Sequence, residues 1–566
     1  MTSDRILNPL LVSGKMILAP ALFFLAFFFL LTYPAVMRFS THFYADQGDG
    51  LQNVWNLWWV EKAITVLHQS PWHTQYLHFP YGTTLIGHTL NPFNGFVAVV
   101  LSRFLSPVSV HNVIVTNSFV LGGITAFLLA HHLTKSYWPS LIAGYIFTFS
   151  SFHFAHAEGH LQIVSLEWIP LFVLLWIKLL AKPTMVLGAA SAAVLFLVIL
   201  CDYYYFFYCV LAGLIIFCWF LGHKKTPFSF SNQETWLPFG VFAILALATS
   251  GILSGSLVFI TFRDGLVGNA SPVDYSLDLL APFIYGGHWR FAFLTSAYWT
   301  RLPGNIHESS VHLGLSVVIL LIYVWRKRRL PDTGEVGPFF ILLLFFAVTA
   351  LGPTLHIAGH KVLPWLRWPY AWLEAIFPPM KVASDPVRMM VMVILCAAVI
   401  SAIGFRLLFR GSRAAKAFAA VLVAFLFIEY LPKPIPQTLV PVPEYVRVLK
   451  NLPGNDGVLD IVANPALNQF YDAAPSLSMF FQTVHEKPLA FGYLARIPRT
   501  VEQKDNELAA AIRNERFDRL WPDYHLRYVV SEDSSHTLRN WPGTAVTWTD
   551  GRIWLFDISS LGVKSQ

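Results

Sequence analysis

Eleven apolar runs, each roughly the length of one bilayer-crossing helix, leave this 566-residue chain few ways to fold. They fall at 15–36, 110–131, 137–153, 161–181, 184–201, 203–221, 236–262, 309–325, 337–352, 387–405 and 415–431. Only 13% of the residues are charged, against about 25% in a soluble protein. That much apolar surface needs lipid as its solvent. The expected fold class is therefore a polytopic α-helical membrane protein with about 11 transmembrane helices. The net charge of +7 does not point to a nucleic-acid partner, because the basic residues gather in short loops between apolar runs. Cys201, Cys209, Cys218 and Cys396 all lie within apolar runs, without metal-type spacing, so no disulfide framework is expected. Arg5 and Lys15 precede the first run, which ends at Thr32-Tyr33-Pro34 without a small-residue cleavage site. It reads as a retained signal anchor.

Charge sets the orientation. With the N-terminus cytoplasmic, one face receives Lys135, Lys178 with Lys182, Lys224-Lys225, Arg326-Lys327-Arg328-Arg329, and Arg406, Arg410, Arg413 and Lys416. Every dense basic cluster then lies on the cytoplasmic side of the cytoplasmic membrane. The arrangement holds only if 92–105, interrupted by Arg103, is a juxtamembrane or re-entrant helix rather than a span. The long, chemically varied segments fall on the outer side: a first loop at 37–109, 154–160, a large loop at 263–308, 353–386, and everything after 431.

Two domains are expected, a membrane domain over 1–431 and an extracytoplasmic α+β domain over 432–566. The second opens on the linker Pro432-Lys433-Pro434-Ile435-Pro436. Gly457–Val462 and Arg527–Val530 read as strands, and Ala545–Phe556 as a hairpin turning at Asp550-Gly551. Thr500-Val501-Glu502-Gln503 reads as a capping box opening a helix.

In the first loop, Asp46-Gln47-Gly48-Asp49-Gly50 precedes a run in which Leu51, Val54, Trp55, Trp58, Trp59 and Ala63 recur at helical spacing. The tryptophans are expected at headgroup level. Asp49 suits an N-cap. Asp49, with Asp46 beside it, also suits a base for an acceptor hydroxyl or a ligand for a divalent metal, and a carboxylate can cap and react at once. His78-Phe79-Pro80-Tyr81-Gly82-Thr83 and His88-Thr89-Leu90-Asn91-Pro92 follow as turns. His88 and Asn91 there read as structural groups.

One span, a long acidic outer loop, short-looped spans and a large loop after the seventh span together resemble the GT-C superfamily of polytopic glycosyltransferases. The stretches Asp49–Trp59, Phe79–Thr83 and His88–Pro92 resemble first-loop motifs of bacterial GT-C-like membrane proteins. The resemblance covers roughly residues 1–430 and departs in one respect: the acids that are often adjacent in the superfamily are separated here as Asp46 and Asp49. It implies a GT-C-like fold and a polyprenyl-phosphate-linked sugar donor.

Two further segments fit that chemistry. In Phe152-His153-Phe154-Ala155-His156-Ala157-Glu158-Gly159-His160, the residues His156, Glu158 and His160 alternate in what reads as a loop and could face one metal. A polar interfacial turn explains the same residues, and both readings stand. A lipid-phosphate leaving group requires cations at the outer surface. Arg388 and Lys381, in Lys381-Val382-Ala383-Ser384-Asp385-Pro386-Val387-Arg388, are the candidate donor-phosphate contacts; an Asp385–Arg388 capping pair is the structural alternative. The expected function is transfer of a sugar to a glycan, lipid or protein acceptor at the outer face, with a divalent metal as the candidate cofactor. A transporter or flippase of a lipid-linked substrate, and a non-catalytic glycan-binding relative, are the rivals. Against transport, the acids cluster near the outer surface rather than at the bilayer midplane. A cysteine introduced at position 327 should stay unlabelled by an impermeant thiol reagent applied from outside; labelling there would invert the topology.

Overall fold

The computed structural model describes residues 14–268, 271–330, 336–376, 380, 384–463, 476–532, 538, 541 and 543–560. The chain divides into two compact units. The first comprises residues 1–39, 112–255 and 270–435, and the second 40–111, 256–269 and 436–566.

Six helices among the described residues are long and apolar enough to cross a membrane: Gly14–Thr32, Pro107–Thr134, Leu161–Ala181, Tyr203–Gly222, Gln233–Asp264 and Pro386–Arg410. Met185–Cys201 and Gly337–Ala350 are shorter and equally apolar. The helix within Pro386–Arg410 is the pillar of the first unit. From Met390 to Phe405 every residue is buried, as expected of a helix apolar on all sides. It packs against Tyr137–Thr148, Leu315–Lys327, Gly337–Ala350 and Arg413–Glu429. The Glu429 carboxylate holds two of these elements together. It accepts hydrogen bonds from the Leu315 and Ser316 amides and from the Tyr285 hydroxyl. It thus satisfies amide donors at a helix start that no other turn can reach.

The segment 137–153 is not one continuous helix. It breaks after Thr148, and Ser150 opens a new helix, Ser151–Ala157, by accepting the His153 amide through its hydroxyl. Short polar side chains that compete for backbone hydrogen bonds favour such an interruption. At the start of Tyr203–Gly222, Asp202 accepts the Tyr205 amide at 3.1 Å, so this boundary acid is a cap.

In the second unit the first loop and the C-terminal segment share one hydrophobic core. The helix Asp49–Thr65 runs through it, with Trp55 and Trp59 fully buried and their rings stacked 5.8 Å apart. These tryptophans meet Met479, Phe480 and Tyr445 rather than lipid headgroups. The apolar stripe fits a protein core as well as it fits a bilayer surface, and the C-terminal segment supplies the core. The Trp55 indole donates to Gln482 Oε1 at 2.6 Å. Gly95 lets the Pro92–Leu101 helix approach closely, since a Cβ there would lie 2.6 Å from Val60. At ten residues that helix is about 15 Å long, half the hydrocarbon thickness.

A four-stranded sheet completes the unit. Its order is Gly457–Asp460, Leu526–Glu532, Ile553–Asp557, Ala545–Thr549, and the first pair alone is parallel. The expected hairpin forms, with Asp550 Oδ1 accepting the Arg552 and Ile553 amides across the turn. The expected capping box does not form. The helix starts at Arg499 after Pro498, and the Thr500 hydroxyl donates to Asp264 Oδ2 at 2.8 Å. Pairing of Arg496–Pro498 with Leu266–Gly268 delivers the chain to the helix a residue earlier than the local signal implies. Trp55→Ala should destabilise this unit by about 3–5 kcal/mol, and Trp58→Ala, whose ring is only partly buried, by clearly less; equal losses in denaturant unfolding would contradict this core.

Candidate functional site

The first unit brings charged groups from four separate segments into one buried cluster. The helix Ser151–Ala157 carries His156 in its last turn, and Glu158 follows while still in helical conformation. On a helix, residues two apart diverge and residues four apart align. His156 and His160 therefore meet, Nδ1 to Nδ1 at 2.7 Å, while Glu158 points elsewhere. The expected trio of His156, Glu158 and His160 is not one centre. The loop reading holds only from Glu158 onward, because the helix continues to Ala157 and takes in His156.

Each part of that trio finds partners in the large loop. His156 Nε2 lies 3.6 Å from Glu308 Oε2, and both atoms are buried without a hydrogen-bond partner. Glu158 Oε1 lies 3.3 Å from His288 Nε2, and its Oε2 lies 3.8 Å from His307 Nδ1. Lys433 Nζ approaches Glu158 Oε1 at 3.5 Å. Two groups thus have metal-ligand geometry: His156, His160 and Glu308, and Glu158, His288 and His307. In each, one ligand atom per residue lies within 4.8 Å of the others.

Arg388 closes the cluster. Its Nε and Nη2 donate to Glu308 Oε1 at 2.9 and 2.5 Å, and its Nη1 lies 3.3 Å from Asp385 Oδ2. Asp385 also accepts the Tyr204 hydroxyl at 2.9 Å, and the Tyr204 ring lies 5.1 Å from the guanidinium. The Asp385–Arg388 pair expected as a structural alternative is present, and Glu308 joins it. Lys381 lies outside the described residues.

Electrostatics follow burial. Desolvation pulls His156 well below its ordinary range, helped by the neighbouring His160 and Arg388. Desolvation lowers His288 as well, and Glu158 only partly opposes it. For Glu158, burial pushes the carboxyl up, but His288, Lys433 and His307 together outweigh it and hold the group below its ordinary value. His156 and His288 are therefore held neutral beside an ionised Glu158.

In the second unit, Asp46 rather than Asp49 does the capping. Its Oδ1 accepts the Gly48 and Gly50 amides at 2.9 and 3.0 Å. Asp49 is the first residue of the helix, and Ser476 Oγ donates to the preceding Gly48 carbonyl. His88 is structural. Its Nδ1 accepts the Ala495 amide at 3.1 Å, its Nε2 faces Gln52 and Asn56, and desolvation lowers its pKa to about 3. Asn91 caps the Pro92–Leu101 helix by accepting the Asn94 amide. His288, His307 and Glu308 lie in the large loop expected at 263–308, and Lys433 in the linker Pro432–Pro436. The one available signal was polarity: imidazole and carboxylate recur in a large loop that otherwise serves to connect spans.

This architecture, apolar spans with an acidic first loop and a small α+β element, is the GT-C glycosyltransferase fold. Arabinofuranosyltransferase AftD from Mycobacteria matches with a TM-score of 0.58 at 12% identity, over 96% of this chain and 42% of AftD. The chain thus spans under half the length of that relative. ArnT from Cupriavidus metallidurans, bound to undecaprenyl phosphate, matches over 96% of this chain and 99% of its own, at 11% identity and a TM-score of 0.47. AglB from Archaeoglobus fulgidus, an oligosaccharyltransferase in complex with an inhibitory peptide and a dolichol-phosphate, matches over 96% of this chain and 75% of its own. Its identity is 12% and its TM-score 0.42. The chain belongs to the DUF6311 family, described as a domain of unknown function, whose model matches residues 21–431. No curated protein matches its sequence.

Breaking the buried pair should be costly. Glu308→Ala, which removes the nearer of the two carboxylates paired with Arg388 and leaves Asp385, should destabilise the protein by about 1.5–3 kcal/mol. Removing the charges together as Glu308→Leu, Arg388→Met and Asp385→Asn should recover most of that loss in thermal unfolding. A single variant as stable as the parent would contradict the pairing.

Proposed function

We propose that this protein is a membrane glycosyltransferase that takes a sugar from a polyprenyl-phosphate carrier. The acceptor is a glycan, lipid or protein at the outer face of the cytoplasmic membrane. The observation that carries the proposal is the buried cluster of Glu158, Glu308, Arg388, His156 and His288 within a glycosyltransferase fold. A fold alone does not define chemistry, and buried charge at the end of a membrane span is costly enough to imply a use.

The roles follow from side-chain chemistry. Arg388 suits the donor phosphate, because a guanidinium makes paired contacts to phosphate oxygens. Its present partners Glu308 and Asp385 hold it in place and keep its charge compensated. Lys381 is the second candidate cation, from its place in the sequence. Asp49 is the proposed base that takes the acceptor's proton. Asp46, whose Oδ1 serves two backbone amides, fixes the turn that presents Asp49. Two separate donor sets, His156, His160 and Glu308, and Glu158, His288 and His307, each fit a divalent transition metal; in the first, His156 Nε2 and Glu308 Oε2 are buried and face each other without a hydrogen bond. Such an ion would supply charge stabilisation to an anionic leaving group.

The test is sugar transfer by purified protein in lipid from a panel of labelled polyprenyl-phosphate sugars. Asp49→Asn should lower the turnover rate by about 10²–10⁴-fold with donor binding retained, and Arg388→Gln should weaken donor binding itself. Donor binding without transfer by the parent protein would favour the transporter or glycan-binding alternatives.

A further inference from the structure

Within the first unit, the apolar helices Leu161–Ala181, Met185–Cys201, Tyr203–Gly222 and Gln233–Asp264 follow one another in the chain. Read as successive crossings they alternate in direction. The end of the first and third and the start of the second and fourth then share one side of the membrane. Gln233–Asp264 is the least buried of the six membrane-length helices. It is seated on Met185–Cys201 where Gly188 faces the Pro238 carbonyl, since a Cβ on Gly188 would lie 2.2 Å from that oxygen. Toward Leu161–Ala181 and Tyr203–Gly222 it leaves a cavity of about 560 Å³.

The lining of this cavity is hydrocarbon. Trp176, Phe206, Phe217, Phe228, Phe239 and Phe242 contribute rings to it. The Trp176 indole donates to the Gly213 carbonyl at 2.9 Å, and the Ser254 hydroxyl to the Gly251 carbonyl at 3.3 Å. The Ser250 hydroxyl, in the π turn Leu247–Gly251, is the one polar side-chain atom of the lining without a partner. Voids of this size are foreign to a close-packed interior, and an apolar one excludes water and accepts apolar ligands. Leu214 and Leu247, both in the lining, are exposed on their outer sides, so the cavity opens toward the bilayer.

Charge at one end selects among hydrocarbon ligands. Lys178 and Lys182 end the first of these helices, and Lys224 and Lys225 follow the third, on the membrane side that also bears Phe228 and Phe239. Glu234 is the one acid between 219 and 240. Lys182, Lys224 and Lys225 are exposed, and the loop after them puts Phe228 in the cavity wall and leaves Phe230 exposed. Lysines beside aromatic rings at the end of membrane spans match an anionic lipid: the ammonium groups meet phosphate and the rings meet the acyl boundary. We infer that the cavity seats an acyl chain of an anionic phospholipid whose phosphate lies at Lys224 and Lys225. On the expected orientation this lipid belongs to the cytoplasmic leaflet, and it fixes the packing of the outlying Gln233–Asp264 helix. The proposed sugar donor would meet Arg388 at the opposite face, so this binding and sugar transfer fail or succeed separately.

The test uses the full-length protein, delipidated in neutral detergent and titrated with dioleoyl phosphatidylglycerol or dioleoyl phosphatidylcholine. Bound lipid is read by native mass spectrometry and its effect by Tm. The expected result is saturable, single-site retention of phosphatidylglycerol with a rise in Tm, at concentrations where phosphatidylcholine gives neither. A Cβ on Gly213 would meet its nearest neighbours at 3.6 Å, an ordinary contact, so Gly213→Leu enters the cavity without displacing backbone. It should abolish lipid retention and raise the Tm of the lipid-free protein. Lys224→Gln with Lys225→Gln should weaken phosphatidylglycerol binding roughly 10-fold and leave the lipid-free Tm unchanged. Neither pattern is that of a folding defect. Equal binding of phosphatidylcholine, or phosphatidylglycerol still retained in Gly213→Leu, would overturn the inference. Undecaprenyl phosphate displacing phosphatidylglycerol at equal or lower concentration would overturn it as well, by making the cavity the seat of the sugar carrier.

Discussion

Burying a charge beside hydrocarbon is the constraint around which the first unit is organised. An ionised carboxylate or guanidinium taken out of water carries a desolvation cost of several kcal/mol even after relaxation. Arg388 enters at the start of the most buried of the six membrane-length helices among the described residues, so it has to bring its counter-charges with it. Asp385 comes from one turn earlier, and Glu308 from the large loop some eighty residues back. Glu308 in turn lies against His156, at the end of a helix that exists because the chain breaks at Ser150. The loop, the broken helix and the pillar are thus held in register by electrostatic necessity, and the apolar packing below them is free to be generic.

The second unit solves a different problem. Its first-loop helix offers two faces that need burial: a tryptophan face and a face carrying Gln52, Asn53 and Asn56. The tryptophan face is covered by Met479 and its neighbours, and the Trp55 indole is satisfied by Gln482. The amide face is matched by His88 and Thr89, whose side chains and carbonyls fill the hydrogen-bond requirement. A buried polar network tolerates few arrangements, so it sets a precise position for the helix start that bears Asp49.

These two solutions explain what was legible in the sequence. Six of the eleven expected spans were readable because a long apolar helix admits one interpretation, and the hairpin at Asp550-Gly551 because the turn is specified locally by two residues and a capping carboxylate. The role of the Asp49–Thr65 helix was not readable. A tryptophan stripe looks the same whether it meets headgroups or Met479, and only the remote C-terminal segment decides which. The Thr500 cap failed for the same reason: Pro498 is drawn into a strand pair with Leu266 that the local sequence does not contain. At the site, His156, Glu158, His160 and Arg388 stood out as polar groups at span ends, but their pairing did not. Whether His156 and Glu158 diverge depends on a single residue's conformation at the end of a helix. Their true partners, His288, His307, Glu308 and Lys433, lie more than a hundred positions away.

The charge pattern links the two readings of the cluster. Three carboxylates against two cations leave the described groups with a net negative charge as long as the histidines are neutral, and burial keeps His156 and His288 neutral. An anionic lipid phosphate approaching such a site meets repulsion from Glu158 and Glu308 as well as attraction from Arg388. A divalent ion held by Glu158 and His288 would reverse that balance and make the same residues a net positive pocket. On the proposed function, Arg388 would then meet the donor phosphate while Asp385 still balances its charge.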